Sequence, residues 1–382
     1  MSDGPLAGIR VVEFGGWFTG AMAACILGDQ GADVIKVEPP TGDPFRSTGT
    51  SRGGQAAMFM AANRNKRSVA LDPKQPEDLE ALRRLAAEAD VFIHNTRPGA
   101  AARLGLDAET LRTANPRLIH VSISAYGQTG PNAREGGFDT LLQVLSGLAY
   151  MQGGGADRPP QMVRTLLADK LTSPIVAQAI STALFARECS GEGATLDYAM
   201  LDGMVWWMWP DGMMNHSFVG DGIDVAQDLS DVDFICPTDD GYLVATPHME
   251  QHWQSFTELV GRLDLRGDPR FDTMRNRQLN LRAYADMLRS CFVGRTTAEW
   301  CALLREREIP CAPVLRQSEV MAYPQLVWNG TIEEVDHPVA GRYRSARAPV
   351  RFDGVAAGTR RTPPVVGQHN AEILAELRMG RR

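Results

Sequence analysis

The chain has no C-x-x-C pair: its six cysteines, Cys25, Cys189, Cys236, Cys291, Cys301 and Cys311, are scattered over 382 residues. Such spacing provides neither a zinc ribbon nor a disulfide framework, and in a chain this long it reads as reduced thiols that mostly fill the core. Nor is there an excess of positive charge. Thirty-nine Lys and Arg stand against 46 Asp and Glu, a formal net charge of −7. That balance argues against a general nucleic-acid binder and leaves local anion sites open. No apolar run reaches the ~18 residues needed to span a bilayer, and no basic segment followed by an apolar stretch opens the chain. A soluble, cytoplasmic protein is therefore expected. Internal repeats and low-complexity tracts are also missing. With 44% hydrophobic and 22% charged residues, wholesale disorder is excluded, and the length suffices for one large or two medium cores.

What the chain does contain is alternation. Leu6 to Phe14 reads as a buried strand, Gly15 and Gly16 break it, and Phe18 to Gln30 suits a helix lying on a sheet. Gly31 stops that helix and Asp33 to Glu38 resumes as strand, a βαβ unit. The pattern recurs as strand 68–71, helix 76–88, strand 91–94, helix 108–115, strand 118–123, helix 172–188 and strand 195–200. This predicts an α/β fold with helices on both faces of a Rossmann-like parallel sheet. Residues 1–205 form the N-terminal part of this large domain. The Trp/Met-rich, then Gly/Asp-rich stretch 206–231 reads as a linker. Residues 232–318, with a hairpin-like run and helices from near Gln251, Leu281 and Thr297, form a smaller α+β domain. Pro- and Gly-rich strands return after Val335, so 319–382 is expected to complete the large domain.

Several features invite chemistry. Glu38 ends the second strand where a ribose-binding acid would sit, but Gly15, Gly16 and Gly20 do not fit G-x-G-x-x-G, and Trp17 and Phe18 crowd the turn that should approach a pyrophosphate. His248 and His252 are spaced to share a helical face, yet Met249 stands where a zinc protease needs Glu, which favours a packing role. The Trp206–Met214 cluster reads as core or interface, with an apolar acyl site as the alternative. The segment Asn63-Arg64-Asn65-Lys66-Arg67-Ser68 reads as a solvated turn or, with Lys74, Arg97 and Arg103, as an anion site suited to phosphates. Asp169 precedes a helix expected from near Thr172. It is either a helix-capping acid or a carboxylate held ionised by the helix terminus beside a cleft, able to attack an activated acyl carbonyl.

An ordered set of motifs resembles the family III CoA-transferases, a group that includes formyl-CoA:oxalate and carnitine-type CoA-transferases and the related 2-methylacyl-CoA racemases. The set begins with Leu6-x-Gly8-Ile9-x-Val11, Gly31 to Glu38, Gly42-Asp43-Pro44-x-Arg46 and Asn65-Lys66-Arg67-Ser68. It continues through Asn115 to Ile119, Tyr126 to Pro131, Leu167-Ala168-Asp169, Gly191-Glu192-Gly193, Asp268 to Phe271, Ile309 to Val314 and Gly367-x-His369. The resemblance implies a large α/β domain and a small one, with two ring-like subunits interlocked as a homodimer. It makes Asp169 the nucleophile that passes CoA from an acyl-CoA donor to a carboxylic acid acceptor through aspartyl anhydride and aspartyl-CoA thioester intermediates. It implies CoA as a substrate rather than a prosthetic group, no metal, and no membrane or nucleic-acid partner. The CoA contacts it implies are Phe18, Thr19, Leu71, Asp72, Lys74, Asn95, Thr96, Arg97, Arg103, Phe138 and Asp139.

Departures from the pattern matter as well. Phe18 replaces a turn glutamine, and Gly136 replaces a basic residue for which Arg134 is the candidate substitute. The shielding glycine run has no counterpart after residue 211. The racemase branch places histidine where Phe138 stands, and phenylalanine carries no proton. That favours the transferase over the racemase. A non-catalytic CoA-binding dimer is the third reading.

Overall fold

The computed structural model describes residues 4–379, so the outermost three residues at each end of the expected large domain lie outside it. Six strands form one sheet: β1 (Arg10–Phe14), β2 (Asp33–Glu38), β3 (Lys66–Ala70), β4 (Val91–His94), β5 (Ile119–Ser124) and β6 (Thr195–Ala199). Their order across the sheet is β3-β2-β1-β4-β5-β6, and every pairing is parallel. Val11, Val12, Ile35, Val37, Phe92, Ile93, Val121 and Ile123 are all buried. Both faces of these strands are therefore covered, which is why they read as continuous apolar runs rather than alternating ones. The first crossover helix is α1 (Thr19–Asp29). The chain leaves β1 toward β2 on one side, and β4 joins β1 on the other. The carboxyl ends of β1 and β4 thus flank the point where strand order reverses, the place where open α/β sheets form a ligand crevice.

The first strand is shorter than expected. Residues 5–8 form a turn in which Gly8 holds φ +88, a left-handed conformation that glycine adopts at little cost. The basic segment is neither a solvated turn nor a phosphate site. Arg64 makes a two-pronged pair with Asp29 at 2.9 and 2.6 Å, and Arg67 is engaged by Asp33, Glu372 and Glu376. Lys66 is fully buried, with its ammonium on Glu13, on the Ala21 carbonyl and on Asn63 at 2.7–2.8 Å. Lys66 and Arg67 have become strand residues and Arg64 sits in the turn before them, and all three charges are neutralised inside the fold. Asn65, at φ +62, accepts the backbone N–H groups of Arg360 and Arg361 and so pins the returning C-terminal segment.

By its internal contacts the chain divides into two compact units. One comprises the described parts of Met1–Ser146, Val163–Trp206 and Pro324–Arg382; the other comprises Gly147–Met162 and Trp207–Tyr323. In the first unit a C-terminal helix, Asn370–Met379, buries Ile373 and Leu377 in the same core as Val12, Ile35 and Val69. The stretch read as a linker begins as helix, Met200–Gly212, whose Met and Leu residues favour helix and whose first proline is Pro210. The second unit has a small antiparallel sheet of Cys236–Pro237, Tyr242–Ala245 and Cys311–Pro313. Its core is aromatic: Trp253, Phe256, Phe271, Tyr284, Phe292 and Trp300. His248 precedes the helix Glu250–Leu259 and packs its ring against Phe234 and Tyr284, so it shares no helical face with His252.

Candidate active site

At the carboxyl end of β1 the chain makes a tight turn through Gly15, Gly16 and Trp17 into α1. The glycines there serve a protein group rather than a pyrophosphate. Asn95, just past β4, donates its amide to the Gly16 carbonyl at 2.7 Å and accepts the Gly16 N–H at 3.3 Å. A Cβ on Gly15 would lie 2.0 Å from the Asn95 side-chain oxygen. Trp17 sits at φ +67, a strained position for a bulky residue, and its N–H is held by Asp43 at 3.1 Å. Its half-exposed ring meets Phe138 edge-on at 5.9 Å. Glu38 is unavailable to a ribose. Arg46 grips both its oxygens at 2.7 and 2.6 Å, and Ser68 and the Asp43 N–H complete its shell.

Between these loops lies a cleft of about 420 Å³, lined by Trp17, Phe18, Thr19, Asn95, Thr96, Arg97, Gly137, Phe138, Asp139 and Asp169 among others. Its carboxylate is presented by α3, which spans Leu167–Ser190 and so starts five residues before the expected point. Asp169 therefore sits in the first helical turn. It does not cap the helix, because Asp139 does. Asp139 opens α2 (Asp139–Leu145), and its Oδ1 accepts the N–H of Ala168 at 2.6 Å and of Asp169 at 3.3 Å. The other Asp139 oxygen accepts the Gln143 amide at 2.6 Å. A carboxylate thirty residues away thus takes the orphan donors of α3, leaving the Asp169 side chain free to face the cleft.

Among the described residues the Asp169 carboxylate has one donor, the hydroxyl of Thr19, on Oδ1. Burial raises its pKa above the ordinary carboxylate value; the Thr19 hydrogen bond opposes this and the charge of Asp139 adds to it. The net direction is upward, because burial outweighs the Thr19 hydrogen bond. No histidine lines the cleft among the described residues. His94, at the end of β4, touches the rim through Thr96 at 3.0 Å, but burial and the neighbouring His120 push it down to about 3, so it stays neutral. Among the described residues no group of three or more His, Cys, Asp or Glu is placed to hold a metal ion.

Of the sequence-expected residues, Phe18, Thr19, Asn95, Thr96, Arg97, Phe138, Asp139 and Asp169 come together around the cleft. Leu71 does not: it is core, 2% exposed. Asp72 folds back to accept the Lys74 N–H at 3.1 Å, and Lys74 and Arg103 are exposed and outside the lining. Arg134 is exposed and also outside it, as is Trp206 at the start of the Trp/Met cluster, whereas Met200 lines the cleft. Trp17 and Gly137 were not singled out in the sequence as lining residues. Gly137 lets two loops touch, since a Cβ there would fall 2.1 Å from that of Ala125; the signal was the pair Gly136-Gly137 directly before Phe138-Asp139. A separate, largely apolar cavity of about 1080 Å³ borders Phe18, Met58 and Leu166 but does not include Asp169.

A doubly wound sheet with a carboxylate-bearing cleft at its switch point defines an α/β enzyme without a dinucleotide fingerprint. Residues 6–370 match the description CoA-transferase family III, and the chain belongs to that family. Succinyl-CoA:glutarate CoA-transferase of Mus musculus is 30% identical over 98% of this chain and 86% of its own length. Probable fatty acyl-CoA transferase Rv3272 of Mycobacterium tuberculosis is 31% identical over 97% and 98%. The crystal structure of a CAIB/BAIF family protein from Brucella suis superposes with a TM-score of 0.81 at 32% identity, covering 98% of this chain and 100% of that one. The chain is thus an enzyme of CoA transfer whose substrates are CoA thioesters.

Proposed function

We propose that this enzyme moves CoA from an acyl-CoA donor to a carboxylic acid acceptor through covalent intermediates on Asp169. The observation that carries the reading is the Asp169 carboxylate itself. It faces the cleft, is relieved of capping duty by Asp139, and among the described residues has a single side-chain donor on one oxygen. Its free oxygen attacks the donor thioester carbonyl, and the CoA thiolate leaves, giving a mixed anhydride. The thiolate then attacks the aspartyl carbonyl, expelling the donor acid and leaving an aspartyl-CoA thioester. The acceptor carboxylate attacks that thioester and releases the thiolate. The thiolate takes the acceptor acyl group as its CoA ester and regenerates Asp169. Each intermediate keeps the activation of the thioester as long as water is excluded. Arg97 at the rim suits the anionic groups of CoA or the acceptor.

The relatives named for succinyl-CoA and glutarate and for a fatty acyl-CoA frame the substrate range to test. Asp169→Asn is expected to fold as the parent does and to lose nearly all acyl exchange across a panel of acyl-CoAs and acids followed by mass spectrometry. In the parent, hydroxylamine added during turnover should convert the activated Asp169 to a hydroxamate. Full turnover by Asp169→Ala would remove the proposal. A racemase would instead incorporate deuterium at Cα of a 2-methylacyl-CoA in heavy water, and Phe138 with a histidine-free cleft argues against it. A CoA-binding scaffold would bind CoA and exchange nothing.

A further inference from the structure

We propose that Thr19 is a positioning residue for the nucleophile: its hydroxyl holds Oδ1 of Asp169, leaves Oδ2 to attack, and remains the donor to Oδ1 when that oxygen takes up negative charge. The inference rests on the reading of Asp169 as nucleophile and deepens it.

The hydroxyl of Thr19 has no structural task. Thr19 is the first residue of α1, but the cap position is Phe18, and no side chain caps that helix. The Thr19 side chain makes no hydrogen bond within its own turn; its partner is Asp169, 150 residues away. It is 5% exposed, so the bond is shielded from competing water. Its backbone is tied to the same helix. The Ser173 hydroxyl reaches the Thr19 carbonyl at 3.0 Å and the Asp169 carbonyl at 2.8 Å, linking α1 to the turn that carries the nucleophile. A valine would occupy the same volume and keep these backbone ties, so packing alone does not call for an oxygen here.

The chemistry does call for one. When thiolate or acceptor carboxylate attacks the aspartyl carbonyl carbon, the C–Oδ1 double bond opens and its electron pair moves to Oδ1. The bond to the expelled carboxylate or thiolate then breaks as that pair returns. In both directions the charge develops on the oxygen that Thr19 already contacts, so the donor is preorganised before the charge appears. The same bond works in the resting state. Burial and Asp139 disfavour ionised Asp169, and Thr19 is the contact that favours it.

The test compares the parent with Thr19→Val, Thr19→Ser and Asp169→Asn as full-length proteins. Succinyl-CoA and glutarate serve as the turnover probe, and isotope-edited infrared of 13C-aspartate-labelled protein follows the Asp169 carboxyl without substrate. Asp169→Asn identifies the band. Thr19→Val should lower kcat about 10- to 100-fold with KM little changed, and should move the Asp169 titration to higher pH. Thr19→Ser should restore both. An unchanged Asp169 titration in Thr19→Val overturns the inference, with or without turnover of this pair. Wild-type turnover by Asp169→Asn on any pair overturns the nucleophile reading instead. Loss in Thr19→Ser equal to that in Thr19→Val assigns the residue to packing and also overturns it.

Discussion

Two side chains act on the Asp169 carboxylate from opposite directions. Thr19 donates to it and favours the ionised form, while Asp139 faces it with like charge and disfavours that form. Asp139 is also the cap of α3, and its two roles separate by substitution. Asparagine keeps an oxygen for the Ala168 N–H but removes the charge. Without that charge the Asp169 pKa falls; under the proposal that ionised Asp169 is the nucleophile, the acidic limb of the pH–rate profile for Asp139→Asn should move to lower pH. Asp139→Ala should lower stability by about 1–2 kcal/mol, read as a reduced urea midpoint, through the uncapped N–H groups. Little of this was legible in the sequence. Asp169 could be singled out only as an acid before a helix or by family resemblance. Its donor and its cap come from residues 150 and 30 positions away, brought to it by the packing of α1 and α2 on α3.

At the scale of elements, a buried chain of charges ties the sheet to the turn that bears Trp17. Lys66 of β3 and Lys36 of β2 share the two oxygens of Glu13 on β1 at 2.7 and 2.8 Å; Lys36 also meets Asp43, which holds the Trp17 N–H. Burial alone would raise the Glu13 pKa, but the two ammonium groups outweigh it and bring it from 4.5 to about 2. Because the folded value lies below the unfolded one, the stabilisation is fully present above about pH 4.5 and is lost as pH falls toward 2. Glu13→Gln leaves two buried cations under-compensated, so it should cost about 3–5 kcal/mol at neutral pH and flatten the acid side of the stability profile, measured by urea unfolding between pH 3 and 7. The strand and helix types of this region were readable from the apolar runs and glycine breaks. The burial of the basic segment was not legible, because pattern alone does not tell a cation on a turn from one neutralised inside a sheet; that depends on whether acids on other strands, such as Asp33 on β2 and Glu13 on β1, come within reach of it. The ends of elements were the least legible. α3 starts at Leu167 because its cap is not local.

For the whole molecule, the return of the chain is decisive. Arg67 and Arg10 on adjacent parts of the sheet pair with Glu376 of the last helix, and Asn65 holds the segment leading to it. The first unit also leaves Leu141, Val144 and Leu145 of α2 and Phe185 of α3 42–74% exposed. The resemblance to a family of interlocked homodimers predicts that a second copy covers such apolar side chains. Light scattering should therefore give about twice the chain mass of 41.7 kDa, and a monomer at micromolar concentration would contradict it.

The sequence by itself determined the α/β class, the succession of strands, the absence of a dinucleotide fingerprint and the family, since these rest on local periodicity, glycine placement and ordered motifs. Tertiary structure alone decided which carboxylate caps α3 and which lines the cleft, that Thr19 is the donor to Asp169, and that the basic segment is an internal ion-pair network rather than a phosphate site. The physical reason is the same in each case. A side chain's protonation, partners and exposure are set by groups far along the chain, and only packing brings those groups within hydrogen-bonding range.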